Sequence, residues 1–206
     1  DPVADGPIIE KANFQALENG FKMNDIFEIS SKIAPHMDTF LMGYMNPFYK
    51  YGMENFLKKA NELKLKGFII PDLPHEEALL YKDITNKYNQ DLISFIAPTF
   101  DANRVKKIVR ESKEFIYMVA YTGITGSGKS EDLSDLIKIV KKESKTPLYI
   151  GFGVDEKTCK EKVIGMDGVI VGSAFVKYLI DDSLNNNEKI SKISTLAKEI
   201  KEKINE

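Results

Sequence analysis

An α/β fold, a parallel sheet covered by helices, is what this sequence predicts. Three observations carry that expectation. Short apolar runs, too brief for helices, alternate along the chain with segments of helical periodicity. The runs recur at roughly the length of a βα unit. No hairpin signal joins one run to the next, so successive runs point to a parallel sheet.

The elements follow in order. Asp1–Pro7 holds two prolines and a glycine and reads as a loop. From Ile8 the pattern turns helical, with Ala12, Ala16 and Leu17 near one face and Gly20 as the stop. Phe21 to Ile33 predicts a second helix on Met23, Ile26, Phe27 and Ile29. Thr39 to Tyr44 is a buried strand, Met45-Asn46-Pro47 is expected to end it, and helix signals follow from Met53 to Leu63. Gly67 to Asp72 is the next strand, and Pro74-His75-Glu76-Glu77 opens a helix with proline and acids in its first turn. Leu92 to Ala97 is a strand, and Asp101 is the expected N-cap of a helix over Ala102 to Glu111. Phe115 to Val119 is a strand followed by a glycine-rich loop and a helix from Glu131 to Lys142. Pro147 to Gly151 is a strand, Asp155-Glu156 opens a helix, and Gly168 to Val171 is the last strand. A short helix, Ala174 to Ile180, and a longer one, Glu188 to Ile204, end the chain.

Six strands in 206 residues fall about two units short of an eight-stranded barrel of about 250 residues. Two architectures remain: an open doubly wound sheet, or a barrel whose first two βα units are absent from the sequence. The loop-like start favours the second. With no linker or low-complexity stretch in between, residues 1–206 are expected to form one domain.

Acidic and basic residues nearly cancel, leaving a formal charge of −2. That gives no electrostatic reason to expect nucleic acid or a membrane surface as partner. No apolar run is long enough to span a bilayer. A single cysteine, Cys159, excludes an internal disulfide framework and fits a reducing, cytoplasmic setting. Its polar neighbours Lys157, Thr158, Lys160 and Glu161 suggest an exposed helix position. His36, His75 and Cys159 lack metal-ligand spacing, so no metal site is expected.

The strands ending at Gly151-Phe152-Gly153 and Gly172-Ser173-Ala174 carry the clearest functional signal. Each is apolar, ends in glycine and feeds a helix. Glycine lets the backbone approach a ligand, and a helix start offers unpaired N–H groups and a positive dipole end to an anion. Side by side, the two ends would cradle a phosphate. A competing signal is Gly123 to Ser130, GITGSGKS, which fits a nucleotide-binding P-loop with Lys129 on the terminal phosphate and Ser130 on magnesium. Against it, no downstream strand ends in an acidic metal ligand, several βα units precede it, and the two later glycine-ended strands stay unexplained. A mobile loop over a different phosphate site accounts for more of the chain.

Asp1-Pro2-Val3-Ala4-Asp5-Gly6-Pro7-Ile8-Ile9 resembles the signature of the tryptophan synthase alpha subunit family, PFSDPxADGPxIQ, entered part-way. The likeness continues in order through Met42 to Pro47, Ile69 to Glu77, Ala97-Pro98-Thr99, Phe115 to Tyr117, Gly123 to Gly126, Gly151 to Val154 and Gly168 to Val176. The resemblance implies a (β/α)8 TIM barrel in which these six strands are the third to the eighth. Barrels of this type hold phosphate at the loops after strands seven and eight, the two glycine-ended strands.

It implies the chemistry as well. The family cleaves indole-3-glycerol phosphate to indole and glyceraldehyde 3-phosphate by a retro-aldol step. Protonation of the indole ring and deprotonation of the side-chain hydroxyl need two carboxyl groups and no cofactor. By the same resemblance, Asp5 is the catalytic aspartate at the indole N–H; its alternative is an N-cap near Pro7. Tyr117 would lie near the glycerol chain and Tyr44 would line the indole pocket, with core packing as the alternative for both. Thr125 would bond Asp5 on loop closure. Gly126, Gly151, Phe152, Gly153, Gly172, Ser173 and Ala174 would form the phosphate site. The family's second catalytic group, a glutamate, precedes the signature and falls before residue 1. That leaves a non-catalytic subunit that binds the phosphate ligand and activates a partner as the alternative reading. The expected partner is the tryptophan synthase beta subunit, which carries the pyridoxal phosphate. Asp1–Asp5 and Tyr44–Phe48 would face it.

Overall fold

The computed structural model describes residues 5–119 and 133–206. The chain divides into two compact units. Asn13–Ser94 form the first, and Asp5–Ala12 with Phe95–Glu206 form the second.

Helix α1 (Pro7–Glu18) opens the described chain. Proline suits the first turn because its missing N–H would be unpaired there anyway. The first helical bond runs from Glu10 N–H to Gly6 O, so Gly6, at φ +86°, takes the position before the helix, and Asp5 precedes it.

In the first unit, α2 (Met23–Ile33) leads to β1 (Phe40–Met42), α3 (Met45–Tyr51), α4 (Met53–Glu62) and β2 (Gly67–Ile69). Then come α5 (His75–Ala78), a 3₁₀ turn (Leu79–Tyr81), α6 (Lys82–Lys87) and β3 (Asp91–Leu92). The strands form a parallel sheet in the order β1-β2-β3. Its core is aromatic. Phe56 meets Phe27, Phe48 and Phe68 at centroid distances of 4.9, 4.8 and 5.4 Å. The strand ends before Met45-Asn46-Pro47 as expected, and these residues also begin α3, a helix the sequence pattern did not reveal. Pro47 is tolerated because it falls in the first turn, where N–H groups have no intrahelical acceptor. Asp72 at the exit of β2 accepts from Met45 N–H at 2.9 Å and supplies the missing cap. The sharp break comes later, at Gly52, φ +90°.

The second unit continues with β4 (Ser94–Ile96), α7 (Ala102–Glu111), β5 (Ile116–Val119), α8 (Ser134–Glu143), β6 (Leu148–Gly151) and α9 (Cys159–Lys162). It ends with β7 (Gly168–Val169), α10 (Ser173–Leu179) and α11 (Asn186–Asn205). The sheet order is β4-β5-β6-β7, with β5, β6 and β7 parallel. The single strand expected over Leu92–Ala97 is two strands in two sheets, separated at Ile93. Asp101 caps α7 as expected, accepting from Asn103 and Arg104 N–H at 2.9 and 3.0 Å. The strand from Gly168 is shorter than expected. Its pairing follows β6, which ends at Gly151, where the chain turns through Phe152 at φ +71°.

Alternation gives this second sheet two different faces. Ile116, Met118 and Leu148 point toward the helices and join Val105, Ile108, Val109 and Val140 in a buried core. Tyr117 pairs with Tyr149 and Val119 with Gly151 on the opposite face. A second cluster joins Val154, Cys159 and Ala174 to Leu196 and Ile200 of α11. Cys159 is therefore fully buried, not exposed. Its neighbours Lys160 and Glu161 are the exposed positions of α9 and do not describe the one that packs against α11.

Candidate functional site

Tyr117 lies on the face of the second sheet opposite the Ile116, Met118 and Leu148 core. Its ring stacks on Phe95 of β4 at 4.9 Å and 28°, and meets Phe152 edge-on at 6.1 Å. The ring also crosses β6 so closely that a Cβ added at Gly151 would lie 2.1 Å from its Oη. The structure thus accounts for Gly151 by Tyr117: glycine is the residue that lets a tyrosine on the neighbouring strand lie over this point. Burial, and after it the charge of Asp5, push the Tyr117 phenol from 10.0 up to about 12. The hydroxyl is therefore a neutral donor throughout the physiological range, and the Asp5 carboxylate lies near enough to act on it.

Beyond Gly151 the chain makes two consecutive left-handed residues, Phe152 at φ +71° and Gly153 at φ +62°. For phenylalanine this conformation is unfavourable. Several bonds hold it. Lys162 of α9 donates to Phe152 O at 2.7 Å and Gly153 O at 2.9 Å. Thr158 Oγ1 donates to Gly153 O at 2.9 Å. Asp155 accepts from Lys157 and Thr158 N–H, each at 2.9 Å. Burial pulls the Lys162 ammonium down from its ordinary pKa, opposed by the charges of Asp155 and Glu161.

The β7 exit lies beside this loop, because β6 and β7 are parallel neighbours and Ile170 N–H bonds Ile150 O. Gly172 precedes α10, and its carbonyl accepts from Phe175 and Val176 N–H. The first-turn N–H groups at Ser173 and Ala174 have no acceptor within the helix. The two glycine-ended strands thus leave the sheet side by side, both backed by the α11 core through Val154 and Ala174.

Of the residues expected at the site, Asp5, Tyr117, Gly151, Phe152, Gly153, Gly172, Ser173 and Ala174 all belong to the second unit. Tyr44 belongs to the first, where it precedes α3. Thr125, Gly126 and the GITGSGKS run lie outside the described residues. Phe95 and Lys162 were not expected. Phe95 lies in an apolar run read as a strand, but nothing in the run marks it apart from its neighbours. Lys162 had no local signal, standing nine residues beyond Gly153 in a lysine-rich stretch. Among the described residues, no group of three metal-ligating side chains is assembled and no helix is long and apolar enough to cross a membrane.

Comparison with known proteins gives one consistent result. Residues 1–205 match the family model described as tryptophan synthase alpha chain. The tryptophan synthase alpha chain of Wolinella succinogenes is 52% identical over 206 residues, covering all of this chain and 81% of that one. The solved structure of tryptophan synthase subunit alpha from Campylobacter jejuni superposes with a TM-score of 0.83 at 34% identity, over 95% of this chain and 79% of that one. A chain of the tryptophan synthase α2β2 complex from Pyrococcus furiosus gives 0.80 at 29% identity, over 98% and 82%. The α/β, (β/α)8 TIM-barrel class expected from the sequence is the class of these neighbours. A family match running nearly end to end also displaces the nucleotide-hydrolase reading of GITGSGKS, and the chain belongs to the tryptophan synthase alpha chain family, as an enzyme subunit.

Proposed function

We propose that this chain is a carbon–carbon lyase that cleaves indole-3-glycerol phosphate to indole and glyceraldehyde 3-phosphate in tryptophan biosynthesis. The observation that supports this most is that the charge of Asp5 reaches the buried Tyr117 hydroxyl. A carboxylate acts on a buried, neutral hydroxyl in the same unit as two adjacent glycine-ended strand exits.

The proposed roles follow. Asp5 accepts the indole N–H and stabilises the positive charge that develops when the ring is protonated at C3. A base removes the proton of the side-chain hydroxyl; the C–C bond breaks, its electrons return to the ring, and the hydroxyl carbon leaves as the aldehyde. The resemblance implies a second carboxylate as acid–base partner, a role assigned to none of residues 1–206. Tyr117 donates near the glycerol chain, and Phe95 and Phe152 hold its ring. Tyr44 lines the indole pocket, and Thr125 fixes Asp5 and excludes water. Main-chain N–H groups at Gly126, Gly153, Gly172, Ser173 and Ala174 bind the phosphate, with Phe152 packed beside it. Gly151 contributes by admitting Tyr117.

The protonated ring is itself the electron sink, so the reaction needs no cofactor or metal. Assembly of the Pyrococcus furiosus relative as an α2β2 complex supports the tryptophan synthase beta subunit as partner, which would carry the pyridoxal phosphate. Residues 1–206 would act as one domain, in the cytoplasm. The test is indole release from indole-3-glycerol phosphate by the natural full-length protein, with and without the beta chain. The reading predicts release that the beta chain increases. A protein that binds the substrate and releases no indole under either condition refutes it.

A further inference from the structure

We infer that Lys162 is a positioning residue for the phosphate of the substrate: it holds the Phe152–Gly153 turn so that the N–H groups of Gly153 and Val154 face the anion. This rests on the reading proposed above, because it assigns a further part to the same site.

The inference comes from the direction of the peptide groups. In a trans peptide the carbonyl of one residue and the N–H of the next point opposite ways. Phe152 and Gly153 are consecutive left-handed residues, so their two carbonyls point to the same side, as in a helical turn. One ammonium, Lys162 Nζ, takes both, at 2.7 and 2.9 Å. The N–H groups of Gly153 and Val154 are consequently directed to the other side. Thr158 Oγ1 reinforces the Gly153 carbonyl. A cation on the carbonyl side also polarises the peptides and makes the opposing N–H groups better donors.

Glycine at 153 is part of the arrangement. Its φ of +62° disfavours a side chain, and a Cβ there would stand 3.0 Å from Lys162 Nζ. The carbonyls at this turn need an external donor, because the strand ladder ends at Gly151. Lys162 reaches them from α9, which is anchored on the α11 core through Cys159. The result is a turn with its acceptors occupied and its donors presented, next to the first turn of α10.

A purely stabilising lysine would look the same in a stability measurement, so the test compares substrates. Indole release is measured for wild type, Lys162→Met and Lys162→Arg with indole-3-glycerol phosphate and with phosphate-free indole-3-glycerol. Binding of glycerol 3-phosphate is measured by calorimetry alongside. Losing two charge-assisted bonds to the turn should raise KM for the phosphate substrate and the glycerol 3-phosphate Kd by roughly 10- to 100-fold. kcat should stay within about threefold, kcat/KM for indole-3-glycerol should be unchanged, and Arg should restore most of the phosphate affinity. Equal losses on both substrates, or an unchanged glycerol 3-phosphate Kd in Lys162→Met, overturn the inference. If Lys162→Met does not fold, Lys162→Gln replaces it with the same expectation; if both unfold, Lys162 is structural and the inference is overturned. A wild type that binds glycerol 3-phosphate but releases no indole removes the proposed lyase function, while the Kd comparison still decides the role of Lys162.

Discussion

Replacing Gly151 by alanine tests how the site is built, because the structure puts a number on the conflict. The new Cβ would lie 2.1, 2.4 and 2.5 Å from Oη, Cζ and Cε1 of Tyr117, whereas ordinary contact is roughly 3.5 Å. Backbone β6 is held by its neighbours on both sides, so the ring must move. Moving it strains a packed interior by ~1–3 kcal/mol and disturbs the stack on Phe95, worth ~0.5–1.5 kcal/mol. Gly151 is not in the left-handed region, so alanine recovers ~0.4–1 kcal/mol through the unfolded chain. The net cost is about 1–3 kcal/mol. In a Tyr117→Leu background the clash is gone and alanine should be neutral or slightly stabilising. Urea unfolding of the four proteins of this double-mutant cycle should give a coupling of about 2–4 kcal/mol. A cost for Gly151→Ala that is the same with and without Tyr117 would refute the account of Gly151.

Two further outcomes follow from the same unit. Tyr117 should titrate at about 12 in NMR of tyrosine-labelled protein, and Asp5→Asn should lower that value without restoring 10, since burial is the larger cause. Because the folded phenol is raised, its contribution of ~2–3 kcal/mol is fully present below pH 10 and is lost as pH rises through about 12. Leu196→Ala should cost ~2–5 kcal/mol, because Leu196 lies in the buried cluster behind both strand exits; thermal unfolding should show it as a fall of roughly 5–15 °C.

Much of this arrangement was legible in the sequence, for identifiable reasons. Apolar runs bounded by turn residues gave the strands, and Asp101 gave a cap that the structure confirms bond by bond. The two glycine-ended strands could be singled out because strand, glycine and helix start follow one another locally. What escaped was non-local. The helix Met45–Tyr51 escaped because Pro47, which rightly marked the end of the strand, is equally compatible with a loop and with a first helical turn. Leu92–Ala97 looked like one strand because hydrophobicity does not report which sheet a residue joins. Cys159 looked exposed because its flanking charges say nothing of the one side that meets α11. Lys162 was invisible for the same reason: its partners are carbonyls, which every residue carries. The purpose of Gly151 lay in Tyr117, a residue on another strand.

The central claim is that Asp5 works on the substrate and does not merely shape the loop before α1. Steady-state indole release by the full-length protein with its beta chain, wild type against Asp5→Asn, tests it most directly. The account predicts a fall in kcat of roughly 10²-fold or more, with KM for indole-3-glycerol phosphate and the glycerol 3-phosphate Kd within about threefold of wild type. Asparagine that keeps kcat, or that loses phosphate affinity and turnover together, would contradict it.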